Sequence, residues 1–221
     1  MSGHARQRAE RREVAESREK ILAAAETYFA ERTIDAPLNE LARRAGVSPA
    51  TFYRRFPTGA DLIRALYDRF AARFDELFAS IHDTASGWEQ LGTAITGTIA
   101  IVRDSPILLP VMVRMMEIDP AHRPGERWVA PIEQLTARAK EEGMLRTDVT
   151  GYDLALTPLA IASLGAFPPP ISTVLLDRLH GILLDGLQAP SPTPLTGGGT
   201  VEAEAFHNAM HRNRSGDATR P

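Results

Sequence analysis

Apolar positions recur along this chain at helical spacing almost throughout. Ile21, Leu22, Ala25, Tyr28 and Phe29 follow the i, i+4, i+7, i+8 pattern of one helix face. That helix begins at Ser17, a plausible N-cap, and fades near Arg32, where Thr33 to Pro37 is turn-like. A short helix over residues 37–45 buries Leu38, Leu41, Ala42 and Ala45. Gly46 follows where a left-handed C-cap is needed. Ser48 and Pro49 open a second short helix as N-cap and first helical residue. Pro57 ends it by turning Phe56 away from helical angles. Thr58, with Asp61 three residues on, caps a long helix whose stripe is Leu62, Leu66, Phe70, Phe74, Leu77, Phe78 and Ile81. Coarser helical blocks span 88–103, 106–117, 131–142, 152–164 and 172–187, separated by Pro and Gly breakers. No strand pattern stands out, so the fold class is all-α.

Polar composition marks the ends. Residues 1–16 carry Arg6, Arg8, Arg11 and Arg12 with no large apolar residue between Met1 and Val14, and read as a flexible basic arm. Residues 189–221 turn to Pro, Thr, Ser and Gly and read as a disordered tail. Between them lie a head at 17–60 and a helical body at 61–188. The net charge of -3 hides an asymmetry. The first sixty residues hold 11 Lys and Arg against 8 Asp and Glu, and the remainder 14 against 20. A basic head on an acidic body can approach a polyanion while the body does something else.

The chain has no cysteine, which removes disulfides, thiolate metal sites and a cysteine nucleophile. No apolar run approaches the roughly 18 residues of a membrane span, and the charged N-terminus lacks the apolar core of a secretory signal. The expectation is a cytoplasmic protein without membrane contact. No Ser, His and acid set forms a recognisable catalytic motif, so no enzyme and no cofactor are expected. His207 and His211 stand four apart without a nearby third ligand, and no metal site is expected.

The informative stretch is 38–56, which has the length and punctuation of a helix-turn-helix. Its second helix would offer Pro49, Ala50, Thr51, Tyr53, Arg54 and Arg55 outward and bury Phe52 and Phe56. Arg43 and Arg44 add charge at the same end. The string Tyr28-Phe29-Ala30-Glu31-Arg32, and the run from Leu41 through Gly46-Val47-Ser48 to Phe52-Tyr53-Arg54-Arg55-Phe56, resemble the N-terminal domain of TetR-family transcriptional repressors. The resemblance covers residues 17–67. Leu183 to Leu187 is similar to the dimer-forming last helix of some members.

The resemblance implies a three-helix DNA-binding domain joined to a helical ligand-binding and dimerisation domain. It implies a homodimer on a double-stranded operator, released by a small-molecule effector. Pro49, Ala50 and Tyr53 match base-proximal positions, and Asn39 another from which some members reach bases. Thr51, Tyr53 and the start of the long helix near Thr58 match phosphate-contact positions. Ser48, by its place at a helix start, frees backbone N–H groups that can meet phosphate oxygens, and Arg54 and Arg55 are either near the DNA backbone or solvated. Two departures stand out: Gly59 where many members carry Lys or Arg, and Thr33 where a glycine is usual. The arm arginines are either solvated or reach phosphates or a minor groove. Phe70, Phe74, Met112, Arg114, Met115 and Trp128 either line an effector cavity or form plain core, Arg114 pairing with an acid such as Glu117 or anchoring a polar ligand. Leu154, Leu159, Ile161, Leu175, Leu179, Ile182 and Leu183 exceed what one internal core needs and are expected at the dimer interface. The alternative, motivated by Gly59 and the apolar start of the second short helix, is a helical protein-interaction module that has lost DNA binding.

Overall fold

A computed structural model describes residues 2–82, 85–123, 125–165, 167–190 and 193–195. Ten helices form among them: α1 (Ser2–Glu31), α2 (Leu38–Arg44), α3 (Pro49–Arg55), α4 (Gly59–Ala79), α5 (Gly87–Arg103), α6 (Leu108–Ile118), α7 (Glu126–Glu141), α8 (Gly151–Ala155), α9 (Thr157–Gly165) and α10 (Ile171–Leu187).

The first helix corrects the expectation for the N-terminus. No cap interrupts it at Ser17, whose hydroxyl donates to the Val14 carbonyl from within the helix. Residues 5–13 are all Ala, Arg, Gln and Glu, good helix formers, and Arg12 and Glu16 pair one turn apart at 2.7 Å. Helix propensity needs no apolar face, so the polar arm becomes an extension of α1.

The head closes around Ile21, Tyr28, Leu41, Phe52 and Phe56, all fully buried. Tyr28 keeps its phenol satisfied by donating to the Pro37 carbonyl at 3.0 Å. Gly46 sits at φ 66, and the N–H groups of Gly46 and Val47 bond back to the carbonyls of Arg43 and Ala42. This double closure is the Schellman arrangement that a left-handed residue permits. It turns the chain sharply, so α3 starts within two residues. Ser48 then accepts the Thr51 N–H at 3.1 Å as N-cap. The reciprocal box of Thr58 and Asp61 opens α4 as expected. That helix carries Leu62, Ile63 and Leu66, then Phe70 and Phe74, in one core that runs without a break from head to body.

Two prolines reshape the expected blocks of the body. Pro131 lies inside α7, which starts at Glu126 and forgoes one ladder bond. The block at 152–164 divides at Leu156, and Pro158 falls in the first turn of α9, where its missing N–H costs nothing. Gly87 at the start of α5 allows a close crossing with α7, since a Cβ there would stand 2.7 Å from the Ala139 nitrogen.

The end of α10 is pinned. Arg146 is buried and gives two bonds to Asp148, one to the Gly186 carbonyl and one to the Thr193 carbonyl. Asp148 also accepts the Leu195 N–H at 2.8 Å. The Arg146 bonds, then the Leu195 N–H, hold the Asp148 carboxyl well below the ordinary aspartate range. An isolated antiparallel bridge between Leu145 and Gln188 completes the clasp. The expected disordered tail and the pair His207 and His211 otherwise lie outside the described residues.

Candidate nucleic-acid interface

The turn at Gly46 and the cap at Ser48 present α3 with one face in the core and one in solvent. Phe52 is fully buried, while Ser48, Pro49, Ala50, Tyr53 and Arg54 are exposed and Thr51 is half-buried. Asn39, on α2, is exposed on the same surface. The Tyr53 hydroxyl donates to its Oδ1 at 3.0 Å. Two residues expected at the interface are thus joined across the two short helices, fourteen positions apart in sequence. Ser48 donates to the Thr51 hydroxyl at 3.0 Å while accepting the Thr51 N–H.

The charged residues divide into two sets. Arg54 is exposed and makes no ion pair among the described residues. Arg55 donates through Nε to the Ser17 hydroxyl at 2.8 Å and so fastens the end of α3 to α1. Arg44 bonds Glu31 at 2.5 Å, lies near Glu40 and stands over the Tyr28 ring. Its bond holds the Glu31 carboxyl below the usual range. Arg44 therefore braces the head, and the expected basic cluster is smaller than four arginines. Thr58 spends its hydroxyl on its own cap, accepting the Asp61 N–H and donating to the Asp61 carboxylate at 2.7 Å. What the start of α4 offers a phosphate is backbone rather than a threonine side chain. A Cβ at Gly59 would meet only the Leu38 side chain, at 3.7 Å.

The expected effector residues mostly face the core. Phe70, Phe74 and Met115 are buried, and Met112 is half-buried. Phe74 packs on Trp128 with ring centroids 5.0 Å apart, and the indole N–H donates to Asp75 at 2.9 Å. Only Arg114 among them borders a described cavity. This space, about 340 Å³, lies at the seam between head and α6, lined by Phe29, Ile34, Leu38, Ile63 and Ile118 among others. Arg114 pairs there with Asp35 and with Glu117. Sequence reading named Glu117 but missed Asp35, and missed Asp75 under Trp128. Neither has a local signal, because each partner arrives through the fold.

The expected dimer residues also separate. Leu154 and Ile161 are buried within the chain, at 8% and 3% exposure. They serve its own core because α8 and α9 pack inside the body. The Leu159 side chain lies outside the described residues. On α10, Leu176 and Leu187 face inward, while Ile171, Val174, Leu175 and Ile182 are exposed, Val174 at 54% and Ile182 at 63%. Leu179 and Leu183 are half-buried between the two faces.

Among the described residues no helix is long and apolar enough to cross a membrane, and no cluster of three metal-ligating side chains occurs.

Residues 21–66 match the family described as bacterial regulatory proteins, tetR family. An HTH-type transcriptional regulator of Mycobacterium tuberculosis is 38% identical over 92 residues, which is 41% of this chain and 46% of the relative. The match thus spans about half the length of that curated relative. The solved TetR transcriptional regulator SCO0520 from Streptomyces coelicolor superposes with a TM-score of 0.58 at 28% identity, covering 79% of this chain and 99% of its own. AibR, solved with isovaleryl coenzyme A and operator DNA, superposes with a TM-score of 0.60 at 19% identity, over 75% of this chain and 97% of its own.

Proposed function

We propose that this chain, whose residues 21–66 match the TetR family of helix-turn-helix transcriptional regulators, is a dimeric repressor of that family, released from its operator by a small-molecule effector. The observation that carries the DNA-binding part is the exposed pair of Tyr53 on α3 and Asn39 on α2, joined at 3.0 Å, while α3 buries Phe52 in the core. In this reading α3 enters a major groove. The O–H of Tyr53 occupies the Asn39 oxygen, so the amide NH₂ is the group left to donate to a purine N7 or a phosphate oxygen. Pro49 and Ala50 contact thymine methyls. Ser48, Thr51 and Arg54 meet phosphates, Arg55 holds α3 against α1, and the start of α4 at Thr58 contributes backbone N–H groups. A second copy joined through α10 sets two such helices about one DNA turn apart, roughly 34 Å.

The effector part rests on the seam. Arg114 of α6 grips Asp35 beside the head, and α4 runs from head to body through a shared core. A molecule that shifts α6 or α4 moves the head with it, and a coupling of about 1–3 kcal/mol suffices for release. A protein of this fold has been solved holding an acyl-coenzyme A and operator DNA together, which fits a two-site arrangement.

The test is selection of a duplex from random sequence with the full chain, then titration of that duplex over a range of salt. Tyr53→Ala is expected to weaken binding by about 1–3 kcal/mol, roughly 5- to 150-fold. Unchanged affinity in a folded variant would remove the interface as drawn. Gly59 is exposed and a Cβ there meets only Leu38 at 3.7 Å, so Gly59→Lys is expected to fold and to tighten binding, steepening the salt dependence by about 0.9 per added phosphate contact. Recovery of no motif would favour the protein-interaction module.

A further inference from the structure

The N-terminal half of α1 projects beyond the head as an exposed helix, and its charges are ordered. Two rows spaced by seven run along α1: Arg8, Ala15, Leu22 and Phe29, and Arg11, Arg18 and Ala25. Residues seven apart share a face of a helix, drifting by only about 20° per repeat. The lower members, Leu22, Ala25 and Phe29, are buried in the head core. The upper members, Arg8 and Arg11, are exposed and make no ion pair among the described residues. The basic stripe is therefore the solvent-exposed continuation of the face that packs on the head. Glu10 and Glu13 lie outside this stripe, and Arg12 is occupied by Glu16.

The stripe passes the end of the candidate recognition helix. The Arg18 guanidinium stands 4.8 Å from the Phe56 ring centroid, and Arg55 bonds Ser17 at 2.8 Å. The body meets the other half of α1, where Arg73 links Glu26 to Ser105 and Asp35 follows the helix end to meet Arg114. The extension thus leaves the head from beside α3, away from that seam.

We propose that this extension is a second DNA-contact element, a rigid basic arm whose Arg8 and Arg11 grip phosphates flanking those met by α3. The proposal rests on the DNA-binding reading above. The occupant follows from charge and width. A helix about 10–12 Å across does not enter a minor groove about 6 Å wide, so the arm lies along the backbone. From Ser17 to Arg8 is about 13 Å of helix at 1.5 Å per residue, which lengthens the contact by roughly 4 base pairs. Phosphate contacts position a protein without reading sequence, so the arm adds affinity and register rather than specificity.

The experiment uses the full chain and a duplex obtained from it by random-sequence selection. Hydroxyl-radical footprinting and salt titration compare the parent with Arg8→Ala/Arg11→Ala, Arg8→Lys/Arg11→Lys and Tyr53→Ala. Circular dichroism checks that each variant folds. The alanine pair is expected to lose protection at the flanks alone, to weaken binding equally on the selected and on unrelated duplexes, and to flatten the salt slope by about 0.9 per phosphate lost. The lysine pair is expected to retain both flank protection and slope. An alanine pair with the parent's footprint and slope, alongside a weakened Tyr53→Ala, overturns the arm and leaves the DNA-binding reading intact. A parent chain that selects no duplex overturns both.

Discussion

Phe52→Ala is expected to cost about 3–5 kcal/mol of stability, the range for truncating a fully buried aromatic. Phe52 is 0% exposed, with Phe56 at 6.2 Å and the edge of Tyr53 at 5.4 Å between ring centroids. Phe52 lies in the core cluster that also holds Ile21 and Tyr28 of α1 and Leu41 of α2, and α2 and α3 are too short to hold themselves without that core. The loss is large against total stabilities of about 5–15 kcal/mol. Thermal and denaturant unfolding followed by far-UV circular dichroism read it directly, and a loss under about 1 kcal/mol would show that the head repacks. The neighbouring substitution separates folding from binding. Tyr53→Ala removes an exposed side chain and is expected to leave stability nearly unchanged while DNA affinity falls.

The second large effect concerns α10. Its outer face presents Ile171, Val174, Leu175 and Ile182 to solvent while its inner face is already anchored by Leu176 and Leu187. Exposed apolar residues on either side of Arg178, on a helix whose end Arg146 holds through the Gly186 carbonyl, suit a self-complementary contact. Val174→Asp/Ile182→Asp is expected to yield a folded monomer, since neither side chain belongs to the chain's own core. Losing the second head removes bivalent binding, and affinity for a two-half-site duplex should fall by about 10²–10⁴-fold. Light scattering and the DNA titration measure the two consequences together. A parent chain that is itself a monomer at micromolar concentration would end the dimer proposal. A variant that remains dimeric would move the interface off α10.

Much of the head was legible because its signals are local. Gly46 needs a positive φ, Ser48 and Pro49 start a helix, and Thr58 with Asp61 closes a capping box; each depends on residues within a few positions. The arm shows where such reading stops. A segment without an apolar face suggests mobility, yet residues 2–16 continue α1 because propensity and the Arg12–Glu16 pair act without a core. In the body, periodicity marks Phe70, Phe74 and Met115 as inward-facing. It could not tell a cavity wall from a packed interior, since both need the same spacing.

The sequence by itself determined the helical class, the helix-turn-helix and the residues that cap and turn it, because those follow from bonds within one or two helical turns. Only the tertiary structure decided that Tyr53 meets Asn39, that Arg44 and Arg55 brace the head, and that Arg114 faces Asp35 rather than only Glu117. It also separated Leu154 and Ile161, inside the core, from Val174 and Ile182, outside it. These outcomes depend on which helices cross and at what depth. Packing sets that through contacts between residues far apart in the chain, and no local pattern encodes it.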